Sequence, residues 1–328
     1  MSFVNRFVAI NKESAYGTTG STYYYGEVDD ESFKHQYDIL SREDKSRYGA
    51  SKATTGKEYS SGDFNLALIN DNFVGQLLLG IFPTDTTGGA GGDGLYEHAF
   101  TEAGAFPSFT FAVGRETKEH YYKGCVVESL NVSANINEYG MVSASIVGKA
   151  EAALAAIGTL TASFADGLNA LYFSDAKVFF NGDATASNAV KSLSFDINLN
   201  VDTDNACGLG NATYIRQPPS QRREISGTIE FNRILHAAVE SEPTYAELIA
   251  ADGVELSGSG AELRVTFGNE SVADILTFNF YKIRFEAPES NVSGRDTQTM
   301  SVPFKALYST NDSKMMDCTL RTSKNSAY

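Results

Sequence analysis

Apolar and polar residues alternate along most of the 328 residues of this chain. Because successive side chains of a strand point to opposite faces, such alternation buries one face and leaves the other in water. The chain is therefore predicted to be mainly β, with antiparallel sheets packed as a sandwich or barrel. The alternating segments are 108–113, 121–136, 141–148, 176–182, 192–201, 263–268, 275–287 and 299–309.

Two segments break the alternation and predict short helices. Segment 69–82 carries apolar residues at helical spacing, and Asn70 or Asp71 can cap its start. Segment 234–253 is rich in Ala and Leu, with Pro243 placed where a first helical turn accepts it. We therefore expect each half of the chain to have one short helix flanking its strands.

The composition is that of a globular, acidic protein. Hydrophobic residues make up 42% and charged residues 20%, so the chain is not expected to be disordered. With 41 acidic and 26 basic residues, the formal charge is -15. Such a surface repels nucleic acid and lacks a basic stripe to hold it. The charge argues against tight or sequence-specific DNA binding, but not against DNA passing nearby.

The sequence predicts neither secretion nor membrane insertion. The N-terminus lacks the long apolar core of a signal peptide, and no run of about 18 apolar residues suggests a membrane span. We expect a soluble product, cytosolic when made. Its three cysteines, Cys125, Cys207 and Cys318, are far apart without CxxC spacing, which favours free thiols over disulfides or a metal site.

The elements recur in the same order in the two halves. Segment 57–66, KEYSSGDFNL, and segment 223–231, REISGTIEF, share a charged start, a Ser-Gly pair and alternating apolar residues. Each follows a long polar stretch, 41–56 or 202–222, and each precedes a predicted helix and further strands. The order of elements is therefore repeated along the chain.

The spacing of matched residues supports an internal duplication. Gly62 and Gly227 are 165 positions apart, and two lysines in the last strands of the halves are 156 positions apart. Two diverged copies of one β-rich unit explain this regularity better than chance. The predicted units are residues 1–158 and 159–328, joined in a segment of small residues.

Several of these stretches resemble the tail tube proteins of long-tailed bacteriophages. They are ESAYGTTG, the Ser-Gly strand followed by an apolar helix, PSFTFAVG with YYKGCVVESL soon after, and VPFKAL. The likeness covers nearly the whole chain. It implies β-sandwich units with one flanking helix each, whose inner sheets join into a continuous barrel around a channel.

The resemblance implies a non-enzymatic structural protein of the virion, the major tail tube subunit. Such a subunit is present in the host cytoplasm during assembly and then in the virion tail. It meets tape-measure, tail terminator and baseplate or tip proteins. Genomic DNA passes through the tube during ejection without specific binding, and no membrane contact is implied.

In tail tube proteins a long hairpin loop reaches the adjacent ring, and here the two polar stretches occupy its place. Both stretches are longer than most connections within compact domains. By resemblance, they are expected to become ordered on contact with a neighbouring ring. The predicted inter-ring contact residues are Ser41, Arg42, Glu43, Asp44, Lys45, Arg47, Tyr48, Asp202, Asp204, Tyr214, Arg216 and Arg222.

The duplication also bears on the number of copies in a ring. Tube proteins with one unit per chain form rings of six, so a chain with two units is expected to close a ring as a trimer with pseudo-six-fold symmetry. Head-to-tail contacts that close generate such rings. The alternative is a hexamer in which the second unit decorates the outside. We favour the trimer because both halves keep the helix, the polar stretch and the final strand.

The residues offer little support for catalysis, a cofactor or a metal. The four histidines are scattered without metal-binding spacing. The Gly-rich run 88–94 lacks the Lys-Ser or Lys-Thr of a phosphate loop and predicts a flexible turn. The alternative from another class is a carbohydrate-binding or hydrolytic β-sandwich of a tail tip or adhesin. Its two catalytic carboxylates could lie unrecognised among the 41 acidic residues.

Overall fold

The computed structural model describes residues 6–328 with gaps at 44–47, 92–93, 153, 157, 162, 165–169, 211–214, 238–240, 251–253, 259, 269–274 and 292–297. Its helices are α1 (Asn72–Ile81), α2 (Tyr245–Leu248) and a 3₁₀ helix at Phe173–Asp175. Its strands are β1 (Phe7–Lys12), β2 (Tyr24–Gly26), β3 (Val28–Glu31), β4 (Lys34–Glu43), β5 (Ala50–Ala67), β6 (Thr84–Ala90), β7 (Tyr96–Thr101), β8 (Phe109–Arg115), β9 (Lys118–Asn135), β10 (Met141–Gly148), β11 (Ala150–Glu151), β12 (Ala155–Ala156), β13 (Ala176–Phe180), β14 (Val190–Asn198), β15 (Glu224–Phe231), β16 (Glu255–Leu256), β17 (Leu263–Phe267), β18 (Leu276–Phe280), β19 (Ile283–Phe285), β20 (Glu289–Asn291), β21 (Thr299–Ala306) and β22 (Met316–Thr322).

The described strands form two antiparallel sheets, which confirms the prediction of a mainly β sandwich. The larger sheet has 16 strands, and its main path runs β16-β19-β21-β15-β14-β9-β10-β5-β3. The smaller has six, in the order β13-β17-β18-β22-β7-β6. Because β6 and β7 come from the first half and β22 comes from the second, the smaller sheet combines both halves.

The buried apolar residues form one main cluster that extends through both halves. It includes Phe64 of β5 and Phe195 of β14, which are 0% and 1% exposed. The ring centre of Phe195 lies 5.0 Å from that of Phe278 and 5.2 Å from that of Phe280, both edge-on and both on β18. These aromatic contacts pack the smaller sheet against the larger one.

The predicted first helix, α1, is confirmed. Asp71 is its N-cap, and Oδ1 of Asp71 accepts a hydrogen bond from the backbone N–H of Val74 at 2.8 Å. Residues 73–81 of the helix are all buried. Gly80 allows the helix to approach β9 closely, because a Cβ at that position would lie 2.4 Å from Cγ2 of Val127. The helix is therefore part of the core.

The prediction for the second helix, in 234–253, is wrong in its extent and its start. In the described part of that segment only Tyr245–Leu248 is helical. Thr244 is the N-cap and forms a capping box with Glu247, so Pro243 lies before the cap and not in the first turn. The reciprocal hydrogen bonds of the capping box fix the start of the helix at Tyr245, two residues later than the proline alone suggests.

A buried carboxylate attaches the N-terminal segment ESAYGTTG to the sheet. Oε1 of Glu13 accepts hydrogen bonds from Oγ1 of Thr110 at 2.7 Å and from the backbone N–H of Gly124 at 2.9 Å. Oε2 accepts from the backbone N–H of Gly17 and from Oγ of Ser108, both at 2.7 Å. Because both oxygens are satisfied, a carboxylate that is only 7% exposed is tolerated here.

Candidate assembly surfaces

Strands β4 and β5 extend beyond the body of the larger sheet as a hairpin. β10 pairs with β5 only from Ala67 to Ser60, whereas β4 continues to pair with β5 as far as Glu43 opposite Ala50. At about 3.3 Å per residue, the hairpin reaches roughly 33 Å past the sheet. We call residues 36–59 the arm. Much of the polar stretch 41–56 is therefore paired strand.

The arm exposes large apolar side chains. Tyr37, Ile39 and Leu40 are 55%, 66% and 59% exposed, and Tyr48 at the tip is fully exposed. A two-stranded hairpin is only marginally stable by itself in water. Apolar side chains on an exposed strand edge favour association with another chain. The arm is therefore a candidate contact surface.

The second polar stretch, 202–222, has a different structure. Its described residues fold back against the base of the arm, where the backbone N–H of Ile215 donates to the carbonyl oxygen of Glu58 at 3.3 Å. Ile215 is 0% exposed and packs with Val147 in a small apolar cluster of its own. The first stretch projects from the sheet as part of the arm, whereas the second packs against the base of the arm.

Both ends of the larger sheet present open strand edges. Within the described residues, β4 pairs only with β5, and β20 pairs only with β21. In the middle of the sheet, β9 of the first half pairs with β14 of the second, from Asn135 opposite Ser192 to Ser129 opposite Asn198. An unpaired edge is a template for another strand. The sheet can therefore be continued at both ends by further chains.

One face of the larger sheet is polar and faces away from the core. On the central strands its side chains alternate with the buried Val, Leu, Ile and Phe residues and are mostly Ser, Asn, Thr and Asp. Burial raises the pKa of Asp196, and burial together with the charge of Asp63 raises the pKa of Glu128. One continuous row across six strands is Asn65, Ser143, Asn131, Asp196, Ser226 and Lys305.

Comparison with known families decides what kind of protein has this architecture. A family model described as phage tail tube protein matches residues 4–306. The chain belongs to the phage tail tube protein family. No curated protein matches it. Members of this family are structural proteins of the virion tail, and the mainly β sandwich agrees with that membership.

In this tail tube protein, the predicted contact residues fall on two surfaces. Ser41, Arg42, Glu43 and Tyr48 are exposed on the arm. Asp202, Asp204, Arg216 and Arg222 belong to the second stretch and lie at the same end of the sheet. That both stretches contact the next ring stays a prediction. The remaining predicted residues, Asp44, Lys45, Arg47 and Tyr214, lie outside the described residues.

The histidines of the tail tube protein have structural contacts. His98 is fully buried, with Nδ1 3.1 Å from a carboxylate oxygen of Asp85 and Nε2 2.9 Å from the carbonyl oxygen of Lys324. Asp85 also accepts a hydrogen bond from the backbone N–H of Tyr328 at 2.7 Å. These contacts attach the C-terminal segment to β6 and β7.

In the part of the chain that the structure describes, no group of three or more His, Cys, Asp or Glu is placed to bind a metal. No helix there is long and apolar enough to cross a membrane.

The polar face was not predicted from the sequence, although the alternation of polar and apolar residues along each strand is a signal for part of it. Each strand's alternation shows which of its residues share a face. It does not show which residues of distant strands lie side by side. The row that contains Asn131 and Asp196 depends on pairing between β9 and β14, which are far apart in sequence.

Proposed function

We propose that the chain is the major tail tube subunit of a phage virion, forming stacked rings through which the genome is ejected. The ladder between β9 and β14 carries this proposal, because it continues the sheet of the first half into the second within one chain. A ladder of the same kind between chains would close a ring. The proposed role is structural, without catalysis, metal or cofactor.

The order of strands in the larger sheet supports the internal duplication. The first half contributes β4, β5, β10 and β9 in that order across the sheet. The second half contributes β14, β15, β21 and β19. Counted across the sheet, the second strand of each half, β5 or β15, is the Ser-Gly strand. The third strand, β10 or β21, is the one that comes last in the sequence. We assign the units to residues 1–158 and 159–328.

The same order supports a ring of three chains. In the duplicated units β14 corresponds to β4, so the open edge at β20 would meet the β4 edge of the next copy as β9 meets β14. Three chains would then supply six similar units to one barrel. In the six-chain alternative the second unit lies outside the barrel, and the continuous β9–β14 ladder argues against that arrangement.

The polar face of the larger sheet would line the channel. Rows of Ser, Asn and Thr with carboxylates such as Asp63 and Asp196 provide few cations to hold phosphates. DNA would therefore slide past this wall without specific binding. The net charge of -15 agrees with a conduit of this kind.

The proposed subunit is assembled in the host cytoplasm and then belongs to the virion tail. A tube built this way meets other tail proteins at its ends and in its channel. The proposed partners are the tape-measure protein inside, the tail terminator at one end and the baseplate or tip proteins at the other.

Electron microscopy of the purified protein tests the proposal. We expect rings or tubes with a central hole of duplex-DNA width. A monomer that stays dispersed at high concentration and binds glycans would contradict the proposal and favour a tail-tip or adhesin β-sandwich.

A further inference from the structure

A groove of about 910 Å³ lies in the first half, between β1, β3 and the end of β8. We call it the first groove. It is lined by Val8 and Val113, which lie opposite each other on β1 and β8, and by residues 28–31 of β3. Within the described residues β3 pairs only with β5. One side of the first groove is therefore an open strand edge.

The second half contains a matching groove of about 250 Å³, which we call the second groove. It is lined by Val178 and Val265, which lie opposite each other on β13 and β17, and by residues 190–193 of β14. β13 pairs with β17 and β17 with β18, just as β1 pairs with β8 and β8 with β9. β14 pairs with the Ser-Gly strand β15 as β3 pairs with β5. The same set of strands therefore builds both grooves.

A β-bulge at the same position in each groove fixes the correspondence between them. β3 has its extra residue at Asp29, and β14 has its extra residue at Lys191. Each bulge lies opposite the third and fourth residues after the glycine of the Ser-Gly strand. Bulges are kept within a family because they set the bend of a strand. The shared bulge indicates that the two grooves are copies of one feature.

The two grooves differ in what fills them. The second groove is also lined by Ala134, Asn135 and Ile136, at the end of β9 in the first half. Ala134 lies opposite Leu193 in the ladder between β9 and β14. Among the described residues, no strand of the second half lines the first groove. The first groove is therefore the unfilled counterpart of the second.

We propose that the first groove receives the end of β20, with the residues that follow it, from a second copy of the chain in the same ring. The inference deepens the proposed function and rests on its ring of similar units. Within one chain, the end of β9 enters the groove of the following unit. Between chains, the matching strand of the second half enters the groove of the next copy.

The register of the ladders shows that β20 is the match of β9. β10 lies opposite the glycine of its Ser-Gly strand at Ile146, and β21 lies opposite the corresponding glycine at Phe304. Four residues earlier in each strand, β10 pairs with Val132 of β9, and β21 pairs with Ser290 of β20. Ser290 therefore matches Val132.

Counting on from this match gives the residues that would fill the first groove. Val292 matches Ala134, and Gly294 matches Ile136. Residues 292–294 lie outside the described residues and directly follow Asn291, the last residue of β20. Val292 would supply the apolar side chain that packs against the valines of the first groove.

The charges of the first groove identify an alternative occupant. Arg115 is bound to Glu31 by hydrogen bonds of 2.8 and 2.6 Å. The remaining acidic lining residues outnumber Arg6, so the groove is net negative and would also attract a basic segment of another protein. Segment 292–299 has one basic residue, Arg295, followed by Asp296, and is uncharged overall. The shared bulge and register, and not charge, favour a second copy. The ionisable lining residues are Arg6, Glu27, Asp29, Asp30, Glu31, Arg115 and Glu116.

Tryptophan fluorescence tests whether the groove is filled on assembly, because the chain contains no Trp. Asp29→Trp places one probe at the bulge of the first groove. Lys191→Trp is the matched control, because it lies at the bulge of the groove that the chain already fills, and both side chains are exposed. We expect the emission of Asp29→Trp to move to shorter wavelength when free subunits form rings, and that of Lys191→Trp to stay the same.

The outcomes separate this inference from the proposed function. Unchanged emission of Asp29→Trp in rings seen by electron microscopy overturns the inference and leaves the proposed function standing. Short-wavelength emission already in the free subunit also overturns it, because residues of the same copy would then fill the groove. If the unmodified chain forms no rings, the proposed function itself fails.

Disulfide trapping gives a second test, which identifies the occupant. Val28→Cys protein is mixed with Gly294→Cys protein under conditions that form rings. These positions match Val190 and Ile136, which line the second groove together. We expect disulfide-linked dimers between positions 28 and 294.

The control for trapping uses an exposed residue that is far from the end of β20. Tyr308 is 56% exposed and follows the end of β21 that does not pair with β20, so Tyr308→Cys replaces Gly294→Cys. All proteins carry Cys207→Ser, because Cys207 is partly exposed and the other two cysteines are buried. No dimer between 28 and 294, or equal amounts between 28 and 308, contradicts the inference.

Discussion

Gly227 of β15 lies directly opposite Phe195 of β14 in the antiparallel ladder. In the first half, Gly62 of β5 lies against Phe33 in the same way, since a Cβ on Gly62 would stand 2.7 Å from the Cα of Phe33. Each Ser-Gly strand therefore places its glycine beside a buried phenylalanine that precedes it in the chain. The ring of Phe33 covers Gly62, whereas the ring nearest to Gly227 is that of Phe304 on β21. The recurring position of the glycine beside a preceding buried phenylalanine favours the duplication.

Replacing Gly227 with alanine is expected to destabilise the fold. The new Cβ would lie 2.5 Å from the carbonyl oxygen of Ser194 and 2.6 Å from the ring of Phe304. Overpacking of this kind costs about 1–3 kcal/mol, measurable by urea unfolding. Gly104→Ala is the control, because nothing lies within 4 Å of the position that its new methyl group would take. Equal stability of the two variants would show that the close packing at Gly227 is unimportant.

Glu13→Gln is expected to destabilise the fold by about 1–3 kcal/mol. Each carboxylate oxygen accepts one backbone N–H, from Gly17 or from Gly124. Whichever way the amide is oriented, its NH₂ group faces one of these donors and leaves it unpaired. The exposed Glu97 provides the control, and Glu97→Gln should unfold at the same urea concentration as the unmodified chain. A neutral Glu13→Gln variant would contradict the network.

The pH dependence of stability should contain a contribution from Asp71. Burial is the main cause that raises its pKa from 3.8 to about 7, against the hydrogen bond from Val74, while the charge of Glu27 adds a smaller increase. The folded state therefore binds a proton that the unfolded state releases above pH 4. The resulting stabilisation is complete below pH 4 and is lost as the pH rises through 7.

Asp71→Asn should remove this pH-dependent contribution while keeping an oxygen to cap α1. Its advantage over the unmodified chain should grow between pH 4 and pH 8, by about 1.4 kcal/mol for each unit by which the pKa is raised. Urea unfolding of both proteins across this range measures the difference. A constant difference would mean that Asp71 has an ordinary pKa in the fold.

Shortening the arm should abolish stacking without unfolding the subunit. Deleting residues 41–56 and closing the hairpin with Asn-Gly removes the tip but leaves the pairing of β5 with β10 intact. We expect folded subunits that no longer form long tubes in electron micrographs. A full-length variant with Ser at Tyr37, Ile39 and Leu40 separates arm length from apolar contact. If the deletion variant still makes long tubes, the arm has no role in stacking.

The sequence predicted the parts of the fold that have one buried face. β14, β15 and β21 alternate clearly because their Leu, Ile, Val and Phe residues enter the core while their partners face water. The first helix was also predictable, because its apolar spacing and the cap at Asp71 agree. Local patterns of this kind are visible in a single sequence.

No such local pattern in the sequence predicts the arm or the pairing of distant strands. Nearly all the described residues of segment 41–56 are exposed, so their pairing as strands produces no alternation of apolar and polar residues. The contact of β7 with β22 joins Phe100 to Cys318, and neither local sequence indicates its partner. The bridge between Tyr139 and Tyr172 has a similar origin, because these residues meet only after the two halves pack together.

Cryo-electron microscopy of the assembled tube at a resolution that separates strands tests the central claim most directly. The account predicts three chains per ring, with the β20 edge of each chain paired to the β4 edge of the next and six similar units around the barrel. Six chains per ring, with the second unit outside the barrel wall, would contradict it.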